Sequence, residues 1–90
     1  MRCDFDPDKN RAVQRKHGVS LAEATAIFDQ VHVVDQKCDD PEQYRAIGWC
    51  GGRLCSVIIE VRRDAAGEYF HLITAWQSTS QEEQYYAEII

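Results

Sequence analysis

The sequence predicts an α+β fold: two N-terminal helices, a four-stranded antiparallel sheet and a C-terminal helix. Three observations predict it. Cap signatures precede the stretches with helical spacing, glycine-containing turns separate runs rich in β-branched and aromatic residues, and those runs lie between the second helical stretch and the third. With 90 residues the chain has room for a single domain, 1–90, and must bury its core efficiently. Apolar residues at 44% against 28% charged exclude a disordered chain.

Asp6-Pro7 opens the first helix, expected over 7–16, because Asp caps well and Pro suits the first helical position. Gly18 stops it, since glycine tolerates the left-handed conformation after a helix. Ser20-Leu21-Ala22-Glu23 is a capping box, and the second helix runs from it to about residue 29. Leu21, Ala24, Ile27 and Phe28 fall on one face of that helix. Residues 31–34 read as a short strand and residues 35–41 as a polar loop. Three further strands are expected at about 43–50, 53–62 and 69–76. Gly51-Gly52 suits a two-residue hairpin turn, and residues 64–67 close a second hairpin. Thr79 or Ser80 caps a last helix over roughly 80–89, with Glu82 and Glu83 favouring its N-terminal dipole.

If the two turns set the register, Trp49 faces Leu54, Arg45 faces Ile58 and Gln43 faces Glu60. In the second hairpin Arg62 faces Tyr69, Glu60 faces His71 and Ile58 faces Ile73. Alternation then assigns Tyr44, Ala46, Cys50, Cys55, Val57, Ile59, Leu72, Thr74 and Trp76 to an apolar face for the N-terminal helices to cover. The other face carries Arg45, Glu60, Arg62, Tyr69 and His71 with several aliphatics, which suggests partial cover by the last helix.

Charge and cysteine usage narrow the function classes. Residues 1–30 and 31–63 each carry five basic and five acidic side chains, whereas residues 64–90 carry five acidic and no basic ones. The net charge of −5 therefore comes wholly from the last third, and it disfavours non-specific nucleic-acid binding. No apolar run exceeds three residues, which excludes a transmembrane helix. Residues 1–4 show no apolar h-region, so a cytoplasmic protein with no membrane partner is expected. The four cysteines, at 3, 38, 50 and 55, lack Cys-x-x-Cys spacing and are expected to be free, with Cys50 and Cys55 the pair to check. No metal or cofactor motif is found and none is expected.

The polar face points to one chemistry. RNA cleavage without a metal needs a base for the 2′-OH proton, an acid for the leaving 5′ oxygen and fixed positive charge for the phosphorane. Glu60 is the candidate base, His71 the acid, and Arg62 and Arg45 the phosphate clamps, since a guanidinium fork matches phosphate. Tyr69 and Trp49 offer surfaces for base stacking. Lys16, in the basic run from Lys9 to His17, is a further candidate RNA contact. The residues alone leave other readings open: a Glu opposite a His can be a solvated cross-strand pair worth a few tenths of a kcal/mol, and the basic run can be exposed helix surface.

Phe5-Asp6-Pro7, Lys9-Asn10, Arg15-Lys16-His17-Gly18-Val19-Ser20, Glu23-Ala24 and Phe28 together resemble the opening of the BrnT toxins, the toxin halves of bacterial type II toxin–antitoxin pairs. Ile47-Gly48, Gly52-Arg53-Leu54, Arg62, Ile73-Thr74-Ala75 and Glu82 with Tyr86 extend the resemblance over nearly the whole chain. The resemblance implies a RelE-like fold and a metal-independent endoribonuclease that arrests translation. It also implies neutralisation by a cognate BrnA-like antitoxin, which would carry the only contact with DNA. Departures from the family pattern fall at Gln43, Tyr69, His71 and Trp76, where basic residues are usual, and in the acidic last helix. The alternative they suggest is a catalytically weak or inactive module that only binds its partner.

Overall fold

A computed structural model describes residues 1–90, with the side chains of all but Gln36 and Lys37. The elements are β1 (Cys3–Asp4), α1 (Pro7–His17), α2 (Leu21–Ala24) continued by a 3₁₀ segment (Thr25–Asp29), β2 (His32–Asp39), β3 (Glu42–Cys50), β4 (Arg53–Asp64), β5 (Gly67–Gln77) and α3 (Ser80–Ile89). The sheet has five strands in the order β1-β5-β4-β3-β2. β1 runs parallel to β5, and the other pairs are antiparallel. The class is α+β, but the expected arrangement of two helices, four antiparallel strands and a last helix, drawn as RelE-like, is corrected to a five-stranded mixed sheet. The chain enters along the outer edge of β5, where the Phe70 N–H donates to the Arg2 carbonyl at 2.9 Å. A strand of two residues lies below the run length that periodicity can detect. Among the described residues, no helix is long and apolar enough to cross a membrane.

The cap signatures act as expected. Asp6 accepts from the backbone N–H of Asp8 and Lys9, and Gly18 closes α1 at φ 74°. Ser20 and Glu23 form a reciprocal capping box. The second helix is α-helical for one turn only. Beyond it the 3₁₀ pitch of three residues per turn stacks Leu21, Ala24 and Ile27 in one row, all fully buried. Ile27 packs where Gly48 of β3 has no side chain, since a Cβ there would lie 2.8 Å from Ile27 Cγ2.

The first hairpin has the register expected from Gly51-Gly52, with Gln43 opposite Glu60, Arg45 opposite Ile58 and Trp49 opposite Leu54. The second begins as expected, with Arg62 opposite Tyr69 and Glu60 opposite His71. It then departs. A β-bulge between Ile58 and Ile59 pairs Ile58 with Thr74 instead of Ile73. One extra residue on β5 reverses the sidedness of Ala75 and Trp76 beyond it. Ala75, not Trp76, therefore joins the helix-covered core. Trp76 pairs with Ser56 and turns to the other face. The polar loop expected over 35–41 is also corrected, because β2 continues to Asp39. Asp35 pairs with Arg45 there, and a cross-strand ion pair accommodates acidic residues that read as loop.

The core lies between the sheet and the N-terminal helices. Val13, Val19, Leu21, Ala24 and Ile27 from the helical layer meet Ala46, Cys50, Cys55, Val57, Ile59, Leu72 and Ala75 from the sheet. Phe28 closes one side, edge-to-face with Phe70 at 5.1 Å. All four cysteines are free, and burial in this core, with the neighbouring Cys50, pushes the Cys55 thiol up to about 12. α3 packs over β2 and β3 on the opposite face, where Ile47, Leu54, Ser56 and Ile58 are buried. The far end of that face, towards the β4–β5 turn, is left open.

Candidate functional site

The open end carries a polar row that crosses four strands. Gln43 on β3 pairs with Glu60 on β4, Glu60 with His71 on β5, and His71 with Asp4 on β1. Register puts their Cα atoms opposite one another, and the pleat aims all four side chains to the same side. One pleat further out, Arg62 pairs with Tyr69. Four of the seven candidate residues, Glu60, Arg62, Tyr69 and His71, thus meet on one patch, whereas Trp49 stands opposite Leu54 beside the Gly51-Gly52 turn.

Their hydrogen bonds define what each can do. Arg62 Nε donates to Glu60 Oε2 at 2.5 Å. This bond holds the Glu60 carboxyl below the usual carboxylate range, against the upward push of desolvation, with the Arg62 charge, Gln43 and His71 adding to the depression. Glu60 is therefore ionised at neutral pH and only 16% exposed, whereas Arg62 is 43% exposed. Only the Nε of Arg62 bonds Glu60, which leaves donors on its terminal nitrogens that suit a phosphate. His71 Nδ1 lies 2.7 Å from Asp4 Oδ1. Among the described residues, its Nε2 has no hydrogen-bond partner.

Tyr69 lies under the Arg2 guanidinium, whose Cζ is 4.7 Å from the ring centroid. Arg2 is itself clamped by Asp64, with two bonds of 2.8 Å, and by the Gly67 carbonyl at 3.0 Å. One face of the Tyr69 ring is thus occupied, and only the other can meet a further ring.

Arg45 and Lys16 are not brought to this patch. Arg45 donates to Asp35 at 3.1 and 2.7 Å and to Glu82 at 3.2 Å, beneath the first turn of α3. With two carboxylates already on its fork, it lines a separate cavity of about 510 Å³ beside Trp76, Thr79, Glu82 and Tyr85. Register alone places Arg45 on the correct face; it does not reveal that Asp35 and Glu82 converge on it. Lys16 is on α1, in the layer on the other side of the sheet, and lines a cavity of about 200 Å³ with Lys9, Val13, His17 and Thr74.

Two residues missing from the sequence reading complete the patch: Asp4, bonded to His71, and Arg2, stacked on Tyr69. A faint signal exists for both. Arg2-Cys3-Asp4-Phe5 alternates polar with apolar, and Cys3 and Phe5 pack on the core while Arg2 and Asp4 do not. Among the described residues, no group of three or more His, Cys, Asp or Glu side chains is arranged to hold a metal ion.

A family model for the ribonuclease toxin BrnT of type II toxin–antitoxin systems matches residues 5–82. Comparison with curated proteins finds no match.

Proposed function

Because the chain belongs to the BrnT family of ribonuclease toxins of type II toxin–antitoxin systems, we propose that it cleaves RNA at the open end of the sheet without a metal ion, and so arrests translation. The observation that carries this reading is the row Glu60–His71 with Arg62 beside it: a carboxylate, an imidazole and a guanidinium within reach of one phosphodiester. Glu60, ionised, accepts the 2′-OH proton. Arg62 turns its terminal nitrogens to the non-bridging oxygens as negative charge builds on the phosphorane. His71 delivers a proton from Nε2 to the departing 5′ oxygen. Tyr69 offers its uncovered face to a base, and Lys16 contributes to RNA only through a strand that wraps past the β5 edge. Arg45 is assigned to structure instead, since Asp35 and Glu82 occupy it.

The family is one half of a two-component system, so an antitoxin partner is implied. We place in that role a BrnA-like protein that binds tightly and carries the contact with DNA, with the pair residing in the cytoplasm.

The test is cleavage of RNA by the purified chain in EDTA. Glu60→Gln and His71→Ala are each expected to lower kcat by about 10²-fold or more. Equal cleavage by the double variant and the wild type removes this site, and loss of wild-type activity in EDTA alone removes the metal-free mechanism. A second reading, a module that only pairs with its partner, is favoured by Trp49, 45% exposed on the sheet, and by exposed Val31 and Val34 on or beside the edge strand β2. A stable complex with the antitoxin from a chain that cleaves no RNA and leaves growth intact is the outcome that selects it.

A further inference from the structure

We propose that Asp4 is a positioning residue for His71: its carboxylate accepts a hydrogen bond from Nδ1–H and commits Nε2 to the proton transfer. This rests on the ribonuclease reading of the same patch. Asp4 lies outside residues 5–82, so the family match does not reach it. The observations are geometric. β1 pairs in parallel with β5 so that Asp4 stands opposite His71, and the Oδ1···Nδ1 separation is 2.7 Å.

The short strand is held firmly enough to aim that carboxylate. Cys3 and Phe5, on either side of Asp4, pack against the core, which turns Asp4 outward. Arg2 ties the other end to Asp64 and to the Gly67 carbonyl. The charged and titratable groups facing His71 are Asp4 from β1, Glu60 and Arg62 from β4, and Tyr69 on its own strand.

The chemical consequence follows from the inventory of an imidazole. A carboxylate only accepts, so a neutral His71 beside it carries its hydrogen on Nδ1 and presents the Nε2 lone pair to substrate. The imidazolium carries hydrogens on both nitrogens. In the acid step the Nε2–H bond breaks, its electron pair stays on Nε2, and the proton moves to the 5′ oxygen. The Nδ1–H is retained and Asp4 is not protonated. Without Asp4, the Nε2–H tautomer competes and the ring is free to rotate.

The experiment uses the full chain as wild type, Asp4→Ala, Asp4→Leu, Asp4→Glu and His71→Ala. It combines steady-state cleavage against pH with nitrogen-resolved NMR of the His71 ring. The wild type is expected to show the Nδ1–H tautomer. Asp4→Ala is expected to lose it and to drop kcat about tenfold or more with KM nearly constant. Asp4→Glu is expected to recover most of the rate. If Asp4→Ala does not fold, Asp4→Leu replaces it with the same expectations, since neither side chain can accept from Nδ1–H. Wild-type kcat and tautomer in the Asp4 variant, beside an inactive His71→Ala, overturn the proposal. If His71→Ala cleaves like wild type, the ribonuclease reading fails separately. The NMR then decides Asp4: loss of the Nδ1–H tautomer on substitution supports its hold on the ring, and an unchanged tautomer overturns it.

Discussion

Arg45 and Arg62 lie on the same face of the sheet, and residue type gives both the same claim on a phosphate. Their neighbours separate them. Arg45 meets Asp35 from β2 and Glu82 from α3, whereas Arg62 meets Glu60 through Nε and remains largely exposed. The Arg62–Glu60 bond also sets a pH dependence. The folded pKa of Glu60 is depressed, so the carboxylate persists as pH falls and is lost only below the unfolded value of about 4.3. If Glu60 is the base, the acidic limb of kcat/KM lies below that value. Arg62→Gln is expected to move the limb to higher pH, besides lowering the rate by about 10²-fold through loss of the phosphate contact. A pH–rate series on both proteins checks this, and a limb that does not move detaches Glu60 from the base role.

At the scale of elements, two contacts decide how the layers meet. The first is the seat of the 3₁₀ segment on β3. Gly48→Ala places a methyl 2.8 Å from Ile27 Cγ2 and 3.1 Å from His32 Cβ, and is expected to cost about 1–3 kcal/mol by overpacking. A denaturation midpoint within error of wild type would show that Ile27 yields freely. The second is Glu82, which joins α3 to the sheet. Its Oε1 accepts from the Thr79 N–H and from Trp76 Nε1, both at 2.9 Å, and its Oε2 accepts from Arg45 at 3.2 Å. Burial pushes this carboxyl up, but the bonds from Thr79, Trp76 and Ser56 and the Arg45 charge outweigh it, and the net direction is down. A depressed folded pKa contributes stability above the unfolded value, and that contribution is lost as pH falls through the folded one. Glu82→Ala is expected to cost about 2–4 kcal/mol at neutral pH and to flatten the loss of stability between about pH 5 and pH 3. Urea titrations across that range measure both. The bulge that brings Trp76 to Glu82 is not legible in the sequence, because His71 through Gln77 gives no turn residue or break in composition to mark it.

Over the whole molecule, the acidic excess of the last third stands against a patch with few available cations. Arg62 is the exposed guanidinium of the polar row, and Arg2 is already clamped to Asp64. Binding of single-stranded RNA is therefore expected to release few counterions. Raising salt fourfold, from 50 to 200 mM, should weaken binding by about tenfold or less, rather than the thousandfold expected of a protein that contacts many phosphates. Fluorescence anisotropy over a salt series measures the slope, and a steep slope would place the basic run of α1 in the RNA path after all.

The sequence by itself determined the features that are local: the caps of all three helices, the Gly51-Gly52 turn, the pairing of Glu60 with His71 and of Arg62 with Tyr69, and the family to which these motifs belong. Caps and tight turns act over three or four residues, so the residues that make them are the residues that reveal them. Tertiary structure alone decided the fifth strand, the reversal after the bulge, the removal of Arg45 from the patch and the arrival of Asp4 beside His71. Each depends on which distant segments meet: residue 4 reaches residue 71, and residue 45 reaches residues 35 and 82. A hydrogen bond between side chains 67 positions apart leaves no periodic trace along the chain, and only the pairing of β1 with β5 sets the two residues side by side.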